Sequence, residues 1–207
     1  MSEKYLKIVR HYENCFDRFG DQAKGVDWPS EESALVRYKV MHELIREIDI
    51  SASILDFGCG LGHFYKYLQK SGVQNLEYTG LDLSEKFVEN CRKKYPSLTF
   101  YSGDVFDPSF SLPTFDYLIL NGVFTEKLDL TNDEMWNFTQ RLLTKVFSLC
   151  RKGFAFNVMS KNVDWERDDL FHLSIDQLTD FLFRKLSRNF VIRNDYGLYE
   201  YTTYVYR

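Results

Sequence analysis

Three glycines follow a short apolar run in the stretch ILDFGCGLG, residues 54–62. They occupy positions 58, 60 and 62, and Asp56 lies just ahead of them. Glycine loses more conformational entropy on folding than any other residue, so this density indicates backbone conformations or close approaches that a side chain would prevent. The apolar run predicts a buried strand, and the following HFYKYLQKSG predicts a helix that ends at Gly72. The glycines are therefore expected in a strand-to-helix turn, where backbone N–H groups can face a ligand.

The rest of the chain alternates between predicted strands and helices. Strands are expected at SILDFG (53–58), EYTGLDL (77–83), LTFYSGD (98–104), DYLILNG (116–122) and FAFNVMS (154–160). A long helix is expected from Thr131 or Asn132 to Gly153. Repeated strand–helix units predict a mostly parallel sheet covered by helices on both faces. The last two strands, FVIRNDY and YEYTTYVYR, have only a turn at Gly197 between them and are expected to pair antiparallel.

These features resemble the class I S-adenosylmethionine-dependent methyltransferases over roughly Ala52 to Arg207. LDFGCGLG is similar to the first motif of that family, LDLS to the second and SGDVFD to the third. The resemblance implies an α/β fold, a Rossmann-like three-layer sandwich. Its seven-stranded, mostly parallel sheet would carry a C-terminal antiparallel hairpin and an N-terminal helical segment. It also implies an enzyme that uses S-adenosyl-L-methionine and releases S-adenosyl-L-homocysteine. GVDW, RY and NGVFTEK are similar to a group of small bacterial methyltransferases, which favours a small-molecule acceptor.

The resemblance also implies that the strand ends hold the cofactor. Asp56 would face the cationic amino end of the methionine part, and Asp82 would accept hydrogen bonds from the ribose diol. The adenine would meet Asp104 and the N–H of Val105. Two alternatives stay open, because Asp82 can instead cap the helix at Ser84 and GD is common turn chemistry. The implied cofactor contacts in the core are Asp56, Gly58, Cys59, Gly60, Asp82, Leu83, Asp104, Val105 and Asn121.

The first fifty residues precede the core. We expect one domain, 1–207, in which residues 1–50 form an N-terminal helical cap and residues 51–207 the Rossmann-like core. A helix is predicted from Ser30 or Glu31 to about Ile48. Leading segments of such enzymes often fold over the cofactor, so Trp28, with Tyr12, is a candidate wall and Arg37 a candidate partner for a carboxylate of cofactor or substrate. The alternative is that Trp28 packs structurally and Arg37 is solvated.

The sequence does not identify a catalytic base. Methyl transfer depends mainly on positioning, and it needs a base only if the acceptor must lose a proton. His172, in the loop region after the fifth predicted strand, is the candidate for that role. The nearby DWERDD is typical of a solvated acidic loop. No metal-binding constellation with usable spacing is present, so no metal is expected.

Other functions remain open at this point. A nicotinamide-dependent oxidoreductase would need GxGxxG, and His63 stands where its third glycine belongs. A module that binds S-adenosylmethionine without transferring methyl groups fits the same motifs, as does a protein or RNA methyltransferase. The segment NGVF replaces the (D/N)PP(Y/F) of enzymes that methylate nucleobase amines, which argues against that activity.

Composition narrows the choice of partners. The chain has 207 residues and a net charge of −4, which argues against electrostatic binding to nucleic acid or to an anionic membrane. No signal-type segment or membrane-spanning apolar run is found, so a cytoplasmic protein is expected. The four cysteines form no CxxC pair and are expected to be reduced thiols. The preferred interpretation is methyl transfer to an oxygen or nitrogen of a small-molecule acceptor.

Overall fold

The computed structural model describes residues 3–46, 51–73 and 75–207. The strands within these ranges are β1 Ala52–Phe57, β2 Leu76–Asp82, β3 Thr99–Ser102, β4 Phe115–Leu120, β5 Cys150–Ser160, β6 His172–Leu173, β7 Phe190–Arg193 and β8 Glu200–Tyr206. The helices are α1 Glu3–Phe19, α2 Glu31–His42, α3 His63–Lys70, α4 Glu85–Lys94, α5 Asn132–Leu149 and α6 Ile175–Phe181. A 3₁₀ turn covers Ala23–Val26, and a π turn covers Leu182–Leu186.

One sheet contains all eight of these strands. Seven of them follow the order β3-β2-β1-β4-β5-β8-β7, and β6 lies off this path and pairs with β5. The pairs from β3 to β5 are parallel, whereas β8 runs antiparallel to both β5 and β7. The predicted α/β architecture with a C-terminal antiparallel hairpin is therefore confirmed. The sequence did not predict β6, which has only two residues and pairs with the end of β5 through Met159 and His172. None of the helices in the described ranges is long and apolar enough to cross a membrane.

Side-chain caps fix the helix starts that position the site. Ser84 Oγ accepts a hydrogen bond from the Phe87 N–H, so α4 begins directly after the end of β2. Thr131 and Glu134 form a capping box at the start of α5, which satisfies two backbone N–H groups that would otherwise lack partners. Both starts agree with the sequence prediction.

Two predicted helix ends differ from the structure. Helix α5 ends at Leu149, and the predicted end at Gly153 is wrong because Gly153 lies inside β5. A Cβ at Gly153 would lie 2.9 Å from Tyr206 Cδ1 and 3.1 Å from the Val205 carbonyl oxygen, so packing against β8 requires glycine there. Helix α2 ends at His42, and the predicted end near Ile48 lies outside the described residues.

The core divides between the two faces of the sheet. Successive side chains of a strand point to opposite faces, and Ile54 and Leu55 of β1 accordingly belong to different hydrophobic clusters. One cluster joins the sheet to α5 and α6, and the other joins it to α2, α3 and α4. This is the expected three-layer arrangement, and it leaves the carboxyl ends of the parallel strands as the edge where a ligand can bind.

Polar contacts hold α1 near that edge. Glu13 Oε1 accepts a hydrogen bond from Ser84 Oγ at 2.5 Å, just after the end of β2. Lys4 Nζ pairs with Glu134 Oε1 at 2.5 Å, at the start of α5. Ion pairs of this kind at the surface stabilise a fold little, so their main effect here is to fix where α1 lies.

A buried polar network connects the N-terminal segment to the sheet. Arg37 of α2 donates to Glu200 Oε2 of β8 from Nε at 3.0 Å and from Nη2 at 2.8 Å. Glu200 Oε1 in turn accepts from Asn157 Nδ2 at 3.0 Å, and Asn157 Oδ1 accepts the N–H of Gly122 at 2.7 Å. The Arg37 guanidinium also lies 4.3 Å from the ring centroid of Trp28. The expectation that Arg37 pairs with a carboxylate of a ligand is thus corrected, because two N–H groups of its guanidinium already donate to Glu200.

Breaking this buried pair should be costly. Arg37→Met would leave the Glu200 carboxylate buried without its cation, and removing one partner of a buried ion pair costs about 3–5 kcal/mol. We expect a loss of that size in the free energy of unfolding, measured by urea denaturation. Arg184→Met is the matched control, because its pair with Asp180 is exposed and should contribute less than about 1 kcal/mol. Equal effects of the two substitutions would contradict this description of the network.

Candidate functional site

The glycine-rich turn joins β1 to α3 in a left-handed conformation. Gly58 has φ +74° and Gly60 has φ +51°, values that L side chains rarely adopt. The N–H groups of Gly58 and Cys59 donate to the Leu81 carbonyl oxygen at 2.8 and 3.0 Å, which ties the end of β1 to the end of β2. The turn is therefore fixed by backbone bonds, and its remaining surface faces a crevice at the strand ends.

Asp82, at the end of β2, braces this turn. Its Oδ2 accepts the N–H of Gly60 at 2.8 Å, and its Oδ1 accepts the N–H of Ser84 at 2.9 Å. The capping interaction weighed from the sequence is thus present. Each carboxylate oxygen can accept more than one hydrogen bond, so these contacts leave acceptor capacity towards the crevice. Burial raises the pKa of Asp82 above its usual value, although the backbone N–H bonds oppose the shift.

Asp56 lies on β1, the strand next to β2, and is more deeply buried than Asp82. Its side chain lines the crevice, the residue is only 3% exposed, and Oδ2 accepts a hydrogen bond from the Tyr78 hydroxyl at 2.6 Å. Burial raises its pKa to about 7, with the Tyr78 bond acting in the opposite direction. A buried acid of this kind gains most from a cationic group brought close to it.

The ends of β3 and β4 complete the crevice. Asp104 Oδ1 accepts the N–H of Phe106 at 2.9 Å, so the turn chemistry weighed for GD is also present. Asn121 Oδ1 is buried and has no hydrogen-bond partner among the described residues, although Asn121 lines the crevice. A buried polar atom without a partner costs free energy, which indicates a ligand on that side. The predicted core residues brought together around this crevice are Asp56, Gly58, Cys59, Gly60, Asp82, Leu83, Asp104, Val105 and Asn121.

Side chains of the N-terminal segment cover the crevice. Tyr12 of α1, Val26 and Trp28 all line it, and they leave a narrow volume of about 190 Å³. A Cβ at Gly122, which has φ +82°, would lie 2.7 Å from Trp28 Cη2, so the indole packs directly on the end of β4. Arg37 does not line this crevice within the described structure.

A second, wider cavity of about 640 Å³ adjoins the first, and Trp28 lines both. Its walls combine aromatic side chains, including Phe19, Trp165 and Tyr199, with acidic and basic ones. Both Trp165 and Tyr199 are largely exposed, at 73% and 63%. The cavity is thus open to solvent on one side and bounded by the indole of Trp28 on another.

His172 also lines the second cavity, but both of its ring nitrogens are engaged. Nδ1 bonds to the Ser160 carbonyl oxygen at 2.6 Å, and Nε2 bonds to the N–H of Arg167 at 3.2 Å. With these partners, Nδ1 donates to the carbonyl oxygen and Nε2 accepts from the backbone N–H. The expectation that His172 is a catalytic base is corrected on this ground, because its basic nitrogen already accepts a backbone hydrogen bond. Its contacts hold the loop before β6 against β5.

Sequence reasoning missed Glu126. It lies in the loop after β4, lines the second cavity and is 8% exposed. Its carboxylate makes no hydrogen bond or ion pair with any described residue. Burial raises its pKa to about 7, and Asp27 and Asp169 raise it further, whereas His11 and Arg167 lower it. The only signal in the sequence was its place shortly after a strand end, in NGVFTEK.

One group of possible metal ligands is found among the described residues. The ligand atoms of His11, Cys15 and Asp27 lie within 4.8 Å of one another. His11 Nε2 is 2.8 Å from Asp27 Oδ2, and this histidine–carboxylate contact accounts for the closest approach without an ion.

The fold and the crevice define a Rossmann-like enzyme with a cofactor site at the carboxyl ends of its parallel strands. A family model for the methyltransferase domain matches residues 54–153. The Mycobacterium tuberculosis protein Rv1506c, a provisionally named methyltransferase, is 30% identical over 155 residues, which make up 74% of this chain and 92% of that protein. EEF1A lysine methyltransferase 2 from Danio rerio is 28% identical over 159 residues, which make up 72% of this chain and 63% of that protein.

Among solved structures, this chain is similar to magnesium protoporphyrin IX methyltransferase from Synechocystis PCC 6803 with bound S-adenosylmethionine. The TM-score is 0.67, the identity is 16%, and the match covers 100% of this chain and 98% of that chain. This chain belongs to the class I S-adenosylmethionine-dependent methyltransferases. It is an enzyme that uses S-adenosylmethionine as its cofactor. The left-handed glycine turn and the unpartnered Asn121 Oδ1 fit such a group.

The buried carboxylate of Glu126 should make stability depend on pH. Its pKa is about 7 in the folded protein and 4.5 as the ordinary value, so the unfolded chain releases this proton first as pH rises. As the pH rises from about 4.5 to about 7, ionisation of this group therefore lowers the free energy of unfolding. We expect Glu126→Gln to have a larger free energy of unfolding than the native protein. The difference between the two proteins should be greater at pH 8 than at pH 5 by roughly 2–3 kcal/mol.

Urea denaturation at the two pH values measures this difference. Glu166→Gln is the matched control, because Glu166 is exposed and should show no such pH dependence. A Glu126→Gln effect of the same size at both pH values would contradict the raised pKa.

Proposed function

We propose that this enzyme transfers a methyl group to an oxygen or nitrogen of a small-molecule acceptor, which binds in the second cavity. The observation that carries the proposal is the pair of adjoining cavities with Trp28 as a shared wall. The volume of the second, about 640 Å³, falls in the range of roughly 300–1,000 Å³ typical of small-ligand pockets. Its position beside the cofactor crevice would bring an acceptor close to the transferable methyl group.

Within this proposal the strand ends hold the cofactor. Asp56 pairs with the ammonium of the methionine part, and the free acceptor capacity of Asp82 takes the ribose hydroxyls. Asp104 and the N–H of Val105 meet the adenine edge, and Leu83 covers one of its faces. The N–H groups of Gly58, Cys59 and Gly60 are bound to Leu81 and Asp82, so the turn contributes a close backbone approach that cradles the methionine part, and Asn121 Oδ1 offers a hydrogen-bond acceptor.

When bound, the cofactor supplies an electrophilic methyl carbon attached to a positively charged sulfur. The contribution of the chain is then mostly positioning and the exclusion of water. Tyr12, Val26 and Trp28 cover the crevice and serve this purpose. We therefore propose that residues 1–50 act as a cap on the core formed by residues 51–207, within one domain.

The acceptor class can be tested with labelled cofactor. The purified protein is incubated with methyl-labelled S-adenosylmethionine and a cell extract, which is then separated into small-molecule and macromolecular fractions. We expect label in the small-molecule fraction. Label in protein would instead favour the acceptor named for the Danio rerio relative, a lysine, and label in RNA would likewise overturn the proposal. Tight binding of cofactor without any transfer would indicate a non-catalytic module.

The role of Asp82 can be tested by affinity. Asp82→Asn removes the charge but keeps the shape, and hydrogen bonds to charged groups contribute about 1.5–3 kcal/mol. We expect the affinity for S-adenosylhomocysteine, measured by calorimetry, to fall by roughly 10- to 100-fold. Asp107→Asn is the control, because Asp107 is exposed in the loop after β3 and should leave the affinity unchanged. An unchanged affinity in folded Asp82→Asn would rule out the ribose contact.

The role of Asp56 predicts a pH dependence of binding. Its pKa is about 7 in the free protein, and an ammonium favours the ionised form, so the acid must release its proton for the ligand to bind. We expect the affinity for S-adenosylhomocysteine to fall about tenfold between pH 8 and pH 6. Asp56→Asn should abolish this slope. Asp104→Asn is the comparison and should retain it, so the loss of the slope in both variants would argue against Asp56 as its source.

A further inference from the structure

The loop after β4 connects the two cavities. Asn121 lines the cofactor crevice, and Thr125 and Glu126 line the second cavity. Backbone bonds hold the loop in place, because the N–H of Phe171 donates to the Thr125 carbonyl oxygen at 2.9 Å and Glu126 forms a bridge with Leu170. Thr125 and Glu126 thus line the second cavity from a fixed backbone.

Both of these side chains lack partners. Thr125 Oγ1 is buried without a hydrogen bond, and no hydrogen bond or ion pair reaches the Glu126 carboxylate from the residues that the structure describes. Buried polar groups are normally satisfied, and a buried carboxylate without a cation is especially unfavourable. A carboxylate without a partner in the wall of a wide cavity indicates a ligand that donates hydrogen bonds.

The charged groups around Glu126 are already paired with each other. Asp27, His11, Asp169 and Arg167 all act on its pKa. Arg167 forms a two-point contact with Asp169 at 3.0 and 2.5 Å, and His11 contacts Asp27 at 2.8 Å. Arg167 and His11 therefore contact other acids, and neither forms an ion pair with Glu126.

We propose that the acceptor is an amine, that Glu126 binds its ammonium group, and that Glu126 takes the proton which the amine loses. The inference rests on the proposed function, because it takes the second cavity as the acceptor site. An ammonium donates up to three hydrogen bonds and accepts none, which matches an unpartnered carboxylate in the wall of the cavity.

One N–H proton of the ammonium passes to the Glu126 carboxylate, which leaves a lone pair on nitrogen. A bond forms between that nitrogen and the methyl carbon as the carbon–sulfur bond breaks, and the electron pair of that bond stays on sulfur. The products would be the methylated ammonium, which carries the positive charge that leaves sulfur, and the neutral thioether in S-adenosylhomocysteine, and Glu126 would return its proton to solvent.

The charges of the cavity distinguish an amine from other nucleophiles. Asp27, Glu126 and Asp164 line it, and two of its three cationic lining residues, Arg37 and Arg167, are neutralised by Glu200 and Asp169. An acceptor that carries a carboxylate would be repelled. A carboxylate base is also far better matched to an ammonium than to an alcohol, whose proton is much less acidic. Aromatic walls from Trp165 and Tyr199 suit a cationic group on an apolar body.

Three probes of one shape and different charge test the proposal. Tryptamine, indole-3-ethanol and indole-3-propionate are titrated at pH 8 into the protein saturated with S-adenosylhomocysteine. We expect tryptamine to bind at least tenfold more tightly than the alcohol, and the carboxylate to bind most weakly. Glu126→Gln should reduce tryptamine affinity about tenfold or more and change the affinity for the alcohol less than twofold. Glu166→Gln should behave as the native protein, because Glu166 is exposed and only its chain neighbours Trp165 and Arg167 line the cavity.

Two results would overturn the inference: tryptamine binding no more tightly than the alcohol, including the absence of binding by all three probes, or a full preference for the amine in Glu126→Gln. The comparison of probes on the native protein does not depend on the variant, so a misfolded Glu126→Gln leaves the test valid. Affinity for S-adenosylhomocysteine is measured first. Its absence would refute the proposed function, whereas its presence without a preference for the amine refutes only this inference.

Discussion

The arrangement of both cavities depends on the buried pair of Arg37 and Glu200. Glu200 is 2% exposed and Arg37 8%, so the guanidinium and the carboxylate must satisfy each other and their remaining bonds inside the protein. Asn157 Nδ2 donates a hydrogen bond to Glu200, and Asn157 Oδ1 accepts one from the N–H of Gly122 at the end of β4. Because Trp28 packs between the guanidinium and Gly122, the pair fixes the indole that lines both cavities.

This network connects the N-terminal segment to the sheet beside the crevice. The crevice is lined on one side by strand ends and on the other by Tyr12 and Trp28, which precede the core in sequence. Burial is the main cause that raises the pKa of Tyr12, and the carboxylates of Glu126 and Asp82 contribute to the shift. Carboxylates from the walls of both cavities therefore act on one tyrosine of the N-terminal segment.

The sequence predicted the strand ends well because local chemistry dictates them. Glycines that need positive φ, an acid at the end of a buried strand and a serine cap at Ser84 each leave a short-range pattern. It failed where a residue's role depends on a distant partner. Gly153 resembles a helix end but packs against Tyr206, which lies more than fifty positions further along the chain. Arg37 resembles a ligand contact, and only the position of β8 shows that its partner is Glu200.

By itself, then, the sequence determined the parallel sheet, its antiparallel end and the line of acids at the carboxyl ends of the strands. These follow from hydrophobic periodicity and turn chemistry, which act between neighbours in the chain. Only the tertiary structure decided which polar groups are satisfied. In the tertiary structure both ring nitrogens of His172 form hydrogen bonds, whereas Glu126 is buried without a partner among the described residues. The cavity that Glu126 lines is not predicted by any short-range sequence pattern. The physical reason is that desolvation and hydrogen-bond satisfaction depend on all the elements that surround a group, and packing alone brings those together.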